Sequence, residues 1–155
     1  MNDEADLTIS MPDDRTIVHT RVFAAPRARV FAALTEPDLL RRWYGPPGWS
    51  LVGCESDLRA GGRWRFTTRK PDGREIVQQG TYVEVAPPAR LVKTERWADW
   101  DAGEVHVTTD LEEADGRTTL TVTTLFPSRA VRDELLARGA SAHARAHYEK
   151  LAAVL

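Results

Sequence analysis

Residues 61–85 read GGRWRFTTRKPDGREIVQQGTYVEV, and this stretch decides the fold class. After Gly61-Gly62 the alternation is strict. Trp64, Phe66 and Thr68 share one face of an extended chain, and Arg63, Arg65, Thr67 and Arg69 share the other. A strand with one apolar and one charged face belongs to an antiparallel sheet that is covered on one side only. Lys70-Pro71-Asp72-Gly73 then turns the chain, with proline fixing φ and glycine supplying a positive φ. Residues 75–85 return as the partner strand.

Working outward, Pro87-Pro88 turns the chain again and residues 90–97 come back. Residues 98–102 read as a loop, and 104–113 with 117–126 form a last hairpin around Asp115-Gly116. Upstream, residues 49–56 make one more strand, and residues 15–23 (RTIVHTRVF) are rich in β-branched residues and read as the first. Between these two lie short helices over 27–35 and 38–43, separated by Pro37 and closed by Gly45-Pro46-Pro47-Gly48. From residue 128 the pattern is helical: Val131, Leu135, Ala142, Ala146 (or the neighbouring Tyr148), Leu151 and Leu155 form an apolar stripe that Gly139 bends or splits. Residues 1–14 are polar and aperiodic and read as a disordered leader. The expectation is a single α+β domain over 15–155, a curved antiparallel sheet of about seven strands around a long C-terminal helix. Sequential hairpins favour that topology, and the last helix is the one long amphipathic element available to cover the sheet.

Composition narrows the function. The net charge of −2 gives no general pull toward nucleic acid or an anionic membrane, so neither is an expected partner. One cysteine, Cys54, excludes a disulfide framework and a multi-cysteine zinc site. No apolar run is long enough to cross a bilayer and the first residues lack signal-peptide character, so a cytoplasmic location is expected. No phosphate loop, dinucleotide fingerprint or GxSxG elbow occurs, and no cofactor is expected. Oligomeric state cannot be read from the chain.

Four motifs in order carry a resemblance. They are Ala25-Pro26 with 30–35 (VFAALT) and Pro37, Arg42-Trp43-Tyr44-Gly45-Pro46, residues 57–64 (DLRAGGRW), and residues 80–92 (GTYVEVAPPARLV). Together they resemble the Hsp90-ATPase-activator-like branch of the START-like superfamily, over about residues 15–155. The resemblance implies a helix-grip fold with one cavity for a lipid, polyketide, hormone or drug. Many relatives place Gly-Trp early in the last helix, where this chain has His143-Ala144; losing an indole there would enlarge the cavity. The family also includes self-sacrificing resistance proteins of enediyne producers, co-chaperones, and enzymes of the cyclase or aromatase type.

The candidate residues follow. Trp97 and Trp100 stand in a loop that ends at Gly103; the two indoles either wall a ligand site or cap the core. Gly103 is either a turn residue or, in an enediyne-resistance protein, the sacrificial site, since an unshielded glycine C–H is open to abstraction by a diradical. Trp43, Tyr44 and Trp49 bracket the GPPG loop and face either a cavity mouth or a satellite core. Trp64 and Phe66 are expected on the concave face. His143 and His147, spaced i, i+4, share a helix face without a visible third metal ligand, so no metal is expected. His19 and His106 are expected on outer faces, and Glu84 in a structural ion pair. No catalytic residue is assigned; the reading is a binder of a bulky apolar small molecule rather than a turnover enzyme.

Overall fold

The computed structural model describes residues 7–155. One eight-stranded antiparallel sheet runs in the order β1-β2-β8-β7-β6-β5-β4-β3. Its strands are β1 (Thr8–Ser10), β2 (Thr16–Phe23), β3 (Ser50–Ser56), β4 (Arg63–Arg69), β5 (Glu75–Ala86), β6 (Arg90–Trp97), β7 (Trp100–Ala114) and β8 (Arg117–Leu125). Helices α1 (Arg27–Thr35) and α2 (Pro37–Trp43) follow β2, and α3 (Arg129–Ala137) and α4 (Ala140–Val154) end the chain. This is the expected helix-grip arrangement.

Two expectations need correction. The leader is not all disordered. Residues 1–6 lie outside the described residues, but Leu7 is buried and β1 pairs with β2 through Ile9 opposite His19. Arg145 of α4 donates to the Leu7 carbonyl at 2.8 Å, and Arg132 of α3 donates to the Asp13 carbonyl. The segment is thus clasped between an edge strand and the final helices. Three residues are too few to show an alternation, so this eighth strand leaves no sequence signal. The stretch expected as a loop, 98–102, is instead a tight turn: β6 runs to Trp97, β7 starts at Trp100, and the two indoles are cross-strand partners.

Proline acts at both helix starts. Pro26 is the residue before α1, and Pro37 opens α2 in its first turn, where a missing N–H costs nothing. Gly139, at φ +86°, splits the C-terminal helix into α3 and α4. The split changes the helical phase, which is why Ala142 is exposed while Tyr148 and Leu151 are buried.

The sheet bends through register shifts in β3–β4, β5–β6 and β6–β7. At its tightest point β5 is thinned to a glycine. The Trp64 indole reaches across Gly80 and donates to the Thr94 carbonyl on β6 at 3.1 Å. A Cβ on Gly80 would run into that same carbonyl oxygen and press on the indole nitrogen. The apolar core is divided. A large cluster gathers Phe23, Val30, Phe31, Trp43, Leu111, Leu120 and Leu151, and a small one joins Ile17, Val105 and Phe126 to residues of α3. A Gly80→Ala chain should lose about 2–3 kcal/mol of stability in urea denaturation, because the clash is with backbone that has nowhere to go; an unchanged midpoint would show that β5 and β6 can separate freely here.

Candidate functional site

A hollow with two communicating chambers lies between the concave sheet and helices α2, α3 and α4. The inner chamber has a volume of about 250 Å³ and touches both core clusters. The outer one, about 470 Å³, opens toward Trp49, Trp100 and the α3–α4 junction. His19, Tyr44, Gln78, Trp97, Leu135, Ala140 and His147 border both chambers and join them.

The sequence-expected residues divide as follows. Trp43, Tyr44, Phe66, Trp97 and His147 line the inner chamber. Tyr44, Trp49, Trp97, Trp100, His143 and His147 line the outer one. Trp43 is nevertheless core, 3% exposed, with its indole N–H donated to the Ala33 carbonyl at 2.8 Å. Trp64 lines neither chamber; it sits beneath Phe66, ring centroids 4.9 Å apart, and supports the wall from behind. Trp97 and Trp100 lie tilted against each other, ring centroids 5.3 Å apart, and the Arg138 guanidinium covers Trp100 at 4.3 Å. Gly103 borders neither chamber. It lies in β7 at φ +82°, and a Cβ there would meet Pro127 at 3.2 Å. Backbone geometry therefore already accounts for a glycine at this position.

His147 is held among three rings, with centroid distances of 4.7 Å to Trp43, 5.0 Å to Tyr44 and 5.8 Å to Tyr148. Its Nε2 is buried without a partner, and burial, reinforced by Lys150, Lys93 and His19, pushes its pKa down to about 3. His143 is exposed and lies against Trp49 instead. Among the described residues no group of three His, Cys, Asp or Glu is placed to hold a metal.

His19 corrects the expectation of an outer face. It borders both chambers edge-on to Tyr148 at 5.9 Å, and burial lowers its pKa. Its face of β2 runs Ile17, His19, Arg21, Phe23. Two polar residues can face inward because α4 supplies Tyr148 for one and Glu149, 3.0 Å from Arg21, for the other. His106 stays exposed beside Glu104. Glu84 pairs with Arg90 at 2.8 Å on the outer surface.

The inward acid is a different residue. On β6, Leu91, Lys93, Glu95 and Trp97 all line the inner chamber. The Lys93 ammonium lies over Trp64 at 4.1 Å and Phe66 at 5.5 Å. Tyr44 donates its hydroxyl to Gln78 at 3.0 Å, and Gln78 partly offsets the effect of burial on the Glu95 carboxyl. Burial pushes Glu95 and Tyr44 up and Lys93 down, so every charged form in this floor is disfavoured.

A family model described as Activator of Hsp90 ATPase homolog 1-like protein matches residues 24–155. The chain belongs to this family. Solved structures agree. A protein from Rhodobacter sphaeroides is 28% identical with a TM-score of 0.90 over 96% of each chain. One from Arthrobacter aurescens is 26% identical with a TM-score of 0.87, over 95% of this chain and 90% of that one. The AHSA1 protein from Silicibacter pomeroyi shares the fold, with a TM-score of 0.75 at 24% identity, over 89% of this chain and 95% of that one. No curated protein matches the chain. Membership of the Hsp90-activator-like family does not single out its enediyne-resistance members. No helix among the described residues is long and apolar enough to cross a membrane.

His147 gives a pH test. Its folded pKa lies below the ordinary 6.5, so its full contribution is present above that pH. As pH falls from 6.5 toward 3, the unfolded chain takes up a proton that the folded chain refuses, and stability drops. Glu95 acts in the opposite sense from pH 4.5 upward, but it is common to both chains of the comparison. Between pH 7.5 and 5, wild type should lose about 1–2 kcal/mol more than His147→Phe in urea denaturation. Equal losses would mean that His147 is protonated in the folded state.

Proposed function

We propose that this protein binds a bulky, largely apolar small molecule in the two-chambered hollow. The observation that carries the reading is an indole-walled space between two separate core clusters, with a polar floor of Lys93, Glu95, Gln78 and Tyr44. Apolar walls with a few convergent polar groups are what small-molecule sites are made of. Burying about 200 Å² of ligand surface there stabilises a complex by about 5 kcal/mol before the cost of association. The Trp97–Trp100 pair and Trp49 sit at the mouth, where Arg138 and Lys70 rest on the indole faces; they form the wall a ligand crosses.

A second reading has one observation in its favour. Glu95 supplies the inward carboxylate that a cyclase-type enzyme needs, and its raised pKa suits proton transfer. Substrate consumed in excess of protein would establish that reading, and its loss in Glu95→Gln would locate it. The co-chaperone reading rests on the family's name alone. The narrowest reading, sequestration of an enediyne with backbone cleavage at Gly103, is supported by the roomy cavity but not by the position of Gly103 outside it. Intact mass spectrometry after exposure to an activated enediyne decides it: two fragments joined at residue 103 support it, and an uncut chain ends it.

For the binding reading, an apolar aromatic ligand at a hundred times its Kd should stabilise the fold by about 2.7 kcal/mol, raising Tm by about 5–10 °C. Val122→Phe, aimed into the inner chamber, should weaken binding at least about tenfold while leaving Tm of the free protein unchanged or higher. A filled chamber that binds as well as wild type would rule out the hollow as the site.

A further inference from the structure

The chain uses its two kinds of cation unequally. Of its 21 lysine and arginine residues, 18 are arginine and three are lysine: Lys70, Lys93 and Lys150. The difference is chemical. A guanidinium stays protonated in proteins, whereas an amine can shed its proton and act as a nucleophile. Two of the three lysines have plain roles. Lys150 donates to the Gly45 carbonyl at 3.0 Å and ties α4 to the loop after α2. Lys70 rests on the Trp49 indole beside the outer chamber, 5.3 Å from the ring centroid. Of the three, Lys93 alone borders the inner chamber.

Lys93 Nζ stands 4.1 Å from the Trp64 ring centroid and 5.5 Å from that of Phe66. Ring faces hold a cation, but arginine does this at least as well and is the commoner choice. In a chain so rich in arginine, a lysine at this place points to a property that arginine lacks. Burial holds the Lys93 amine below the ordinary lysine pKa, which favours the free base. Lys150 is lowered for the same reason, so acidity does not separate the two. Position does. The Lys150 amine is bonded to a carbonyl, while Lys93 stands in the wall of a chamber lined also by Phe66, Leu91, Val107 and Val122.

We infer that Lys93 is the attachment point for a carbonyl group on the ligand, joined through Nζ as an iminium. This rests on the binding reading above and names the chemical class of the ligand: an apolar aldehyde or ketone. In the step, Nζ bonds to the carbonyl carbon, and C=N replaces C=O. Two of the three ammonium hydrogens leave with the carbonyl oxygen as one water, and the positive charge stays on the iminium. No oxidant or reductant is consumed. The Trp64 and Phe66 faces that hold the ammonium hold the iminium in the same place. The apolar walls keep water from the new bond, which slows its hydrolysis.

The test uses the full chain with 2-naphthaldehyde and with 2-methylnaphthalene, which has nearly the same shape and no carbonyl. Cyanoborohydride reduces an iminium to a stable amine, so the adduct outweighs the chain by the aldehyde less its oxygen. Peptide mapping of wild type should place the adduct on Lys93, labelled at least about tenfold faster than Lys70 or Lys150, because binding holds the aldehyde against the amine. Adding 2-methylnaphthalene at about ten times its Kd should slow the labelling of Lys93 about tenfold and leave the other lysines unchanged. Lys93→Arg, which keeps the charge on the rings, should give no fast adduct and still bind 2-methylnaphthalene in calorimetry. If wild type binds 2-methylnaphthalene but labels Lys93 no faster than Lys70 or Lys150, the attachment is wrong and the hollow remains a binding site. An adduct that forms as readily in Lys93→Arg, or labelling of Lys93 that 2-methylnaphthalene does not slow, also overturns it. If wild type binds neither compound, the binding reading and the attachment fall together. The wild-type map needs no variant to fold, so its result stands on its own.

Discussion

Everything in this domain turns on the close approach of β5 to β6 at Gly80. An antiparallel sheet encloses space only if it bends, and the bend needs a strand position with no side chain. The missing Cβ lets the Trp64 indole span β5 and bond the Thr94 carbonyl. That fixed indole then carries Phe66 on one side and the Lys93 ammonium on its face. One glycine thus couples the curvature of the sheet to the position of a buried cation. The same bond supports the back wall of the inner chamber, so the side chains that line it stand on a scaffold.

The interior polar groups obey a single rule. Each is either locked to a neighbour or kept in its uncharged form. Arg21 faces Glu149 and lies over Phe23, Thr118 donates to the Ala25 carbonyl, and Tyr44 donates to Gln78. His19 and His147 are held neutral by burial. What separates Lys93 from this set is that aromatic faces, which attract a cation without accepting a conventional hydrogen bond, are its main neighbours. Buried side-chain nitrogens without a hydrogen-bond partner are found among the described residues at Arg21 Nε and His147 Nε2.

Much of this was legible in the sequence because it was written in local chemistry. The alternation of 63–69, the Pro-Asp-Gly turn, the paired prolines and the Asp-Gly hairpin each impose a backbone conformation, so strands β3 to β8 followed. The aromatic cluster around the Gly-Pro loop was legible as a cluster, but not which rings line the hollow: Trp43 is core and Trp64 borders neither chamber. The inward charges were not legible. On β6 one face reads Leu91, Lys93, Glu95, Trp97 and the other Val92, Thr94, Arg96; both mix apolar and charged residues, so polarity alone does not say which face is concave. On β2, His19 and Val18 pose the same ambiguity, and burial is settled only when α4 places Tyr148 and Glu149 beside one face. Strand β1 was missed because its pairing is a property of β2 and of two distant arginines, not of its own three residues.

The size of the hollow is itself an argument about function. Empty volume in an apolar core costs on the order of 24 cal/mol per Å³, so the inner chamber of about 250 Å³ forgoes up to about 6 kcal/mol of packing if it stands dry. That is comparable with the whole stability of an ordinary domain. Closing it would be simple. Val107, Thr109, Val122, Thr124, Ala140 and Ser141 line the chamber opposite the rings, and one or two larger side chains among them would fill it. Small residues facing large ones keep two core clusters apart that would gain by merging. A fold that leaves so much stabilisation unused, and lines the gap with a lysine and a glutamate, is what the binding reading proposed above accounts for.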